Sequence, residues 1–126
     1  MTTPVSSGIT KRFADFSLNL KFEDLAPDVI AEVRNGLVDT LGVGLVGSRE
    51  AATRMILNVC TGGTSGGSAT ILGSDVLATP TVAAAVNGYA VHALDYDDTQ
   101  HNVGSHMSAP VFPAALVVAE KLQWSG

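Results

Sequence analysis

All three histidines of this chain and three closely spaced aspartates share one stretch, Asn87 to Pro113, with the sequence NGYAVHALDYDDTQHNVGSHMSAPVFP. Asp95, Asp97 and Asp98 fall within four positions; His92 precedes them, and Thr99, His101 and His106 follow. A carboxylate beside an imidazole favours the charged ring and fixes its tautomer, a standard way to prepare histidine for proton transfer. Both flanks are rich in alanine and valine and nearly free of charge. Any chemistry the chain performs is concentrated here.

Other uses of the same residues compete. His92 and Asp95, three apart, can share a helix face, while an imidazole on an alanine-rich face can be a hydrogen-bonded core group and DYDD can cap a following helix. A metal site is a third use, but three adjacent carboxylates with two loop histidines match no recognised ligand set. The expectation is therefore no metal among Asp95, Asp97, Asp98, His101 and His106, their oxygens facing protein donors and diverging from any common centre. Asp95, Asp97 and Thr99 imitate the DxDxT nucleophile loop of aspartate-based phosphatases; that loop needs a β-branched strand before it, and NGYAVHAL reads as helix. DxDD also occurs in class II terpene cyclases, whose sites are aromatic-rich, whereas aromatics make up 6% of this chain.

The elements that must hold this stretch are mainly helical. Ile9, Phe13, Phe16 and Leu20 predict a short first helix capped by Thr10 or Ser7. Pro27 suits the first turn of a second, whose stripe runs Ile30, Val33, Leu37, Leu41 and Leu45 before a stop at Gly47. Gly42 and Gly44 inside it each cost about 1 kcal/mol relative to alanine, so a closely packed backbone is expected against them. A third helix, Arg49 to Cys60, carries Ala52, Met55, Ile56, Val59 and Cys60 on one face, with Met55 and Cys60 as core filler. TGGTSGGS, from Thr61, lacks the lysine of a phosphate-binding loop and follows no strand, so it reads as a flexible connection. A small strand or hairpin is expected near 68–78. Thr79 and Pro80 open a fourth helix with Val82, Ala85, Val86, Tyr89 and Ala93 on its apolar face, its many alanines predicting packing on more than one side. Ser108 caps a fifth, with Val111, Ala115, Val118 and Leu122 facing inward. The fold class is thus mainly α, a bundle of about five helices with a minor β element.

Composition limits the partners. At 126 residues the chain is long enough for one core. Charged residues reach only 15%, against roughly 25% in ordinary soluble domains, and apolar residues 46%. So few charges predict that part of the surface is buried against a partner subunit or a larger protein. The formal charge of -5 leaves no basic stripe, which argues against nucleic acid and against an anionic membrane surface. No apolar run reaches the roughly 18 residues of a membrane span, and MTTPVSSGITKR lacks the apolar region of a signal peptide. A single cysteine, Cys60, forms no internal disulfide, so a cytoplasmic setting is expected.

One longer pattern is far more specific. Asn87-Gly88, His92 through Thr99, His106 through Val111, Pro113-Ala114-Ala115 and Ala119-Glu120 together resemble the N-terminal signature of the MmgE/PrpD family. The resemblance extends upstream through Leu37 to Val43 and Ala69 to Gly73. It implies a cofactor-independent lyase or isomerase (a dehydratase, decarboxylase or epimerase) acting on small di- or tricarboxylates such as 2-methylcitrate or cis-aconitate. It also implies a larger helical domain of which residues 1–126 are the N-terminal part, with C-terminal helices and a lid beyond, assembled as a homodimer. By the same resemblance Asp95 and His106 are catalytic, while Thr99 and His101 bind substrate. All seven lysines and arginines lie outside the polar stretch, so a polycarboxylate needs positive charge brought from elsewhere. The competing expectation is a non-catalytic helical module that docks on a partner subunit or on the rest of a split enzyme.

Overall fold

Helix boundaries follow the punctuation of the sequence. The computed structural model describes residues 8–102 and 104–124. Among them are five α-helices: α1 (Ile9–Asn19), α2 (Pro27–Gly47), α3 (Ala51–Thr61), α4 (Pro80–His92) and α5 (Ser108–Leu122). Strands β1 (Ala69–Thr70) and β2 (Leu77–Ala78) form an antiparallel pair, with Ala69 opposite Ala78 and Thr70 opposite Leu77. The predicted mainly helical class and the hairpin near 68–78 are both present. No helix among the described residues is long and apolar enough to cross a membrane.

The chain divides into two compact units, Met1–Glu32 and Val33–Gly126. In the first, Ile9, Phe13 and Phe16 of α1 are exposed, and Lys11 pairs with Asp15 one turn on at 2.6 Å. Such an exposed pair contributes a few tenths of a kcal/mol. Thr10 is already helical and Gly8 holds the cap position without a side-chain bond; Ser7 lies outside the described residues.

The second unit is built on small side chains. Ala69, Ile71, Ala78, Ala83, Val86 and Val117 form the core cluster, flanked by Ile56, Leu57, Val82 and Ala84. A Cβ added to Gly47 would overlap the carbonyl oxygen of Ala90, and one added to Gly44 would lie 2.7 Å from Leu72 Cδ1. These two glycines are where α2 and α4 meet. Gly42 faces open space and Gly44 meets side chains, so the backbone expected against this pair packs on Gly47 instead. Gly88 of α4 faces the carbonyl of Ala109 in α5 at 3.0 Å from a notional Cβ.

This small-residue packing rotates the helices away from the expected faces. On α4 the buried residues are Ala83, Val86, Asn87, Ala90 and Val91, while Ala85 and Tyr89 are exposed. On α5 they are Ala109, Pro113 and Val117, and Val111, Val118 and Leu122 are about half exposed. On α2 Val33 and Leu45 stay exposed, and on α3 Met55, Val59 and Cys60 do, so Met55 and Cys60 are not core filler. Small side chains let helix axes approach, which leaves the large apolar ones on the outside.

A polar strap fixes the register of α4 and α5. Asn87, buried, donates from Nδ2 to the Thr70 carbonyl at 3.0 Å and accepts the Leu72 N–H at 2.9 Å. Glu120 of α5 accepts from the Thr70 N–H at 2.9 Å and from its hydroxyl at 2.5 Å. The hydroxyl bond, and then the backbone bond, hold the Glu120 carboxyl below its ordinary value of 4.5. One residue of β1 thus ties both site-bearing helices together.

Candidate active site

The site is assembled where α4 ends. Thr79 caps the start of that helix by accepting the Val82 N–H, with Pro80 in its first turn, and thirteen residues later the helix delivers His92. Asp95 N–H then bonds back to the His92 carbonyl at 3.0 Å. Asp95 itself takes a left-handed conformation, φ 56°, which costs a residue other than glycine about 1–2 kcal/mol. That reversal folds the chain under the helix end and carries Asp97 back to His92.

Beyond it a tight loop returns the chain. Gln100 pairs with Ser105, the Gln100 N–H reaching the Ser105 carbonyl at 2.8 Å, and Gly104 turns at φ 58°. The loop sets His106 beside His92, with ring centroids 4.7 Å apart and edge to face. Asp98 points the other way and accepts the Ser108 N–H at 2.9 Å, capping α5. The expected Ser108 cap is therefore supplied by Asp98, whose side chain satisfies the first turn from across the loop.

Asp97 is the hub. Its side chain is 1% exposed. His92 Nδ1 lies within hydrogen-bond distance of its two oxygens, at 3.0 and 3.2 Å. His106 Nδ1 lies 3.3 Å from Asp97 Oδ1 without the alignment of a hydrogen bond. His106 Nε2 lies 3.6 Å from Asp95 Oδ1. His106 is thus flanked by two carboxylates, one buried and one in solvent. Both imidazoles line an open cleft of about 740 Å³ whose wall also includes Ala85, Gly88, Tyr89 and Ser105. Among the described residues no lysine or arginine lines it.

Of the residues expected at the site, the fold brings Asp95 and His106 together. Asp95, Thr99 and His101 are exposed, and none of the three is among the residues lining the cleft. His92 and Asp97, which form the best-aligned bond of the cluster, were not expected as a pair. Their separation of five is no helix-face spacing, and only a reversal at Asp95 makes it a contact.

One donor atom from each of His92, Asp95, Asp97 and His106 lies within 4.8 Å of the others. The expected divergence from a common centre therefore describes Asp98 but not Asp95 and Asp97. Asp97 already accepts from His92. The donors are arranged as a carboxylate serving imidazoles, which is a device for handling protons.

The sequence matches the MmgE/PrpD N-terminal domain over residues 11–126. It is 36% identical to human cis-aconitate decarboxylase over 115 residues, which are 90% of this chain and 24% of that protein. The mouse cis-aconitate decarboxylase is 34% identical over the same share of the chain and 23% of its own length. A cis-aconitate decarboxylase-like protein, oryM, of Aspergillus oryzae is 25% identical over 119 residues, 94% of this chain and 24% of that protein. The chain spans about a quarter of the length of these relatives. It belongs to the MmgE/PrpD family.

Proposed function

We propose that this chain forms one wall of the active site of a lyase acting on small polycarboxylates, with decarboxylation of an unsaturated tricarboxylate such as cis-aconitate as its reaction. The observation that carries the reading is His106, set between Asp95 and Asp97 and opening onto a cleft of substrate size. Three relatives named for cis-aconitate decarboxylation support the reaction type.

The chemistry asks for little beyond acid and base. Loss of CO2 leaves an electron pair on carbon, which the neighbouring double bond delocalises and which a proton then captures. An imidazole in the cleft supplies that proton. His106 holds the reacting end of the substrate by charge and hydrogen bonding, with Asp95 beside its Nε2 and Thr99 available to a substrate carboxylate or hydroxyl once the cleft is complete. No metal or organic cofactor is needed by this route. The remaining cationic groups come from chain outside this segment, as does the opposite wall. Epimerisation or dehydration of a related acid would use the same imidazoles.

Exposed apolar side chains on the helices, among them Val38, Val46, Met55, Val59 and Val118, favour cover by the rest of a larger helical domain and by a second copy. To test the function, the complete protein is incubated with cis-aconitate, 2-methylcitrate and a dicarboxylate epimer pair. Release of CO2 from cis-aconitate is expected; turnover of none of them would contradict the reading.

A further inference from the structure

We propose that His92 is the imidazole that gives the proton to the substrate carbon, and that Asp97 is the residue that positions it. The inference rests on the function proposed above and assigns its proton-transfer step.

Asp97 is a carboxylate that the fold takes out of water. Burying a charged group is costly unless its oxygens are bonded, and the bonds found are to an imidazole nitrogen of His92, with a second imidazole nitrogen close by. An ionised carboxylate only accepts hydrogen bonds. The hydrogen between the two groups therefore sits on His92 Nδ1, and the lone pair of the neutral ring is on Nε2. His92 is not a core residue: 52% of its side chain is exposed, and it lines the cleft beside Tyr89 and His106. An imidazole with one nitrogen fixed by a buried carboxylate and the rest of its ring at a cleft wall has the geometry of a general acid–base group. Asp97 does not line the cleft. Its part is to hold the ring's tautomer and angle, and the left-handed turn at Asp95 is what brings it there.

The step balances without a further reactant. The C–C bond to the leaving carboxylate breaks, CO2 departs, and the bonding pair stays on carbon. That pair forms a C–H bond with the proton of the His92 imidazolium Nε2, whose N–H pair remains on nitrogen. The ring ends neutral, its Nδ1–H still on Asp97, and one proton from solvent restores it.

The test uses the complete protein turning over cis-aconitate in D2O. In the parent, deuterium should enter one of the two prochiral positions of the new CH2 group. In His92→Gln, kcat should fall about 100-fold or more with KM within about threefold, and residual product should carry deuterium at both positions because water supplies it. Asp97→Asn should lower kcat, and the double variant should be no slower than His92→Gln alone. His106→Ala should keep single-position labelling. His92→Gln turnover within twofold of the parent, unchanged labelling in that variant, or losses that multiply in the double variant would overturn the assignment. Activity that is removed by a chelator and restored by zinc would overturn it too. Should the complete protein turn over no polycarboxylate, imidazole 15N spectra still separate the two readings: His92 as the Nδ1–H tautomer, lost in Asp97→Asn, upholds the pair, and an Nε2–H tautomer in the parent refutes it.

Discussion

The two ends of the β1–α4–α5 unit solve opposite problems with similar residues. At the strap, the side chains of Asn87, Thr70 and Glu120 bond to one another or to the backbone of Thr70 and Leu72, fixing two helices and a strand. At the C-terminal end of α4, His92, Asp95, Asp97 and His106 are gathered just as closely, yet both imidazoles open onto a cleft and His106 Nδ1 has no hydrogen-bond partner. The strap is satisfied and the cluster is not. Polar groups that complete each other stabilise a fold; groups held near each other but left partly unpaired are available to a substrate.

Variants should separate the two ends, and the largest effect belongs to the open one. In the complete protein His106→Ala should lower turnover by about two orders of magnitude or more, read as kcat on protein shown by melting curves to be folded. Next comes Gly47→Ala, where the new methyl meets the Ala90 carbonyl. Overpacking of this kind should destabilise by about 3 kcal/mol, read from denaturant midpoints. Asn87→Ala leaves the Leu72 N–H and the Thr70 carbonyl without partners and should cost about 2 kcal/mol. Asp98→Ala removes the α5 cap at about 1 kcal/mol, and Asp98→Asn should recover most of that.

The smallest effect is a pH dependence. The folded-state pKa of Glu120 is lowered, so its bonds to Thr70 contribute fully above the unfolded value and are lost as pH falls through the folded one. Glu120→Gln should flatten that part of the stability profile below about pH 4.5, by less than about 1 kcal/mol because the carboxylate is exposed. An unchanged acid limb in melting curves would remove the strap's electrostatic part.

Helix ends were legible because the residues that mark them act locally. Pro27, Gly47, Thr79 and Pro80 start or stop helices where expected. Buried faces were not. Hydrophobic periodicity picks out Val33 and Leu45, Met55 and Val59, or Val111 and Val118, which want burial, but these remain exposed while alanine and glycine make the contacts. The pattern records which side is apolar and not what covers it. Asp95 and His106 could be named from residue type and from the family resemblance. The partnership of His92 with Asp97 could not, because it depends on a left-handed aspartate that no periodicity encodes.

The central claim is that the imidazoles of this cleft hold a polycarboxylate and supply the proton for its breakdown. Its most direct measurement follows the complete protein with cis-aconitate by proton and deuterium NMR in D2O. One CO2 should be lost and one carbon-bound deuterium gained per turnover, both about a hundredfold slower in His106→Ala. Equal rates in the parent and that variant, or CO2 release without deuterium on carbon, would contradict it.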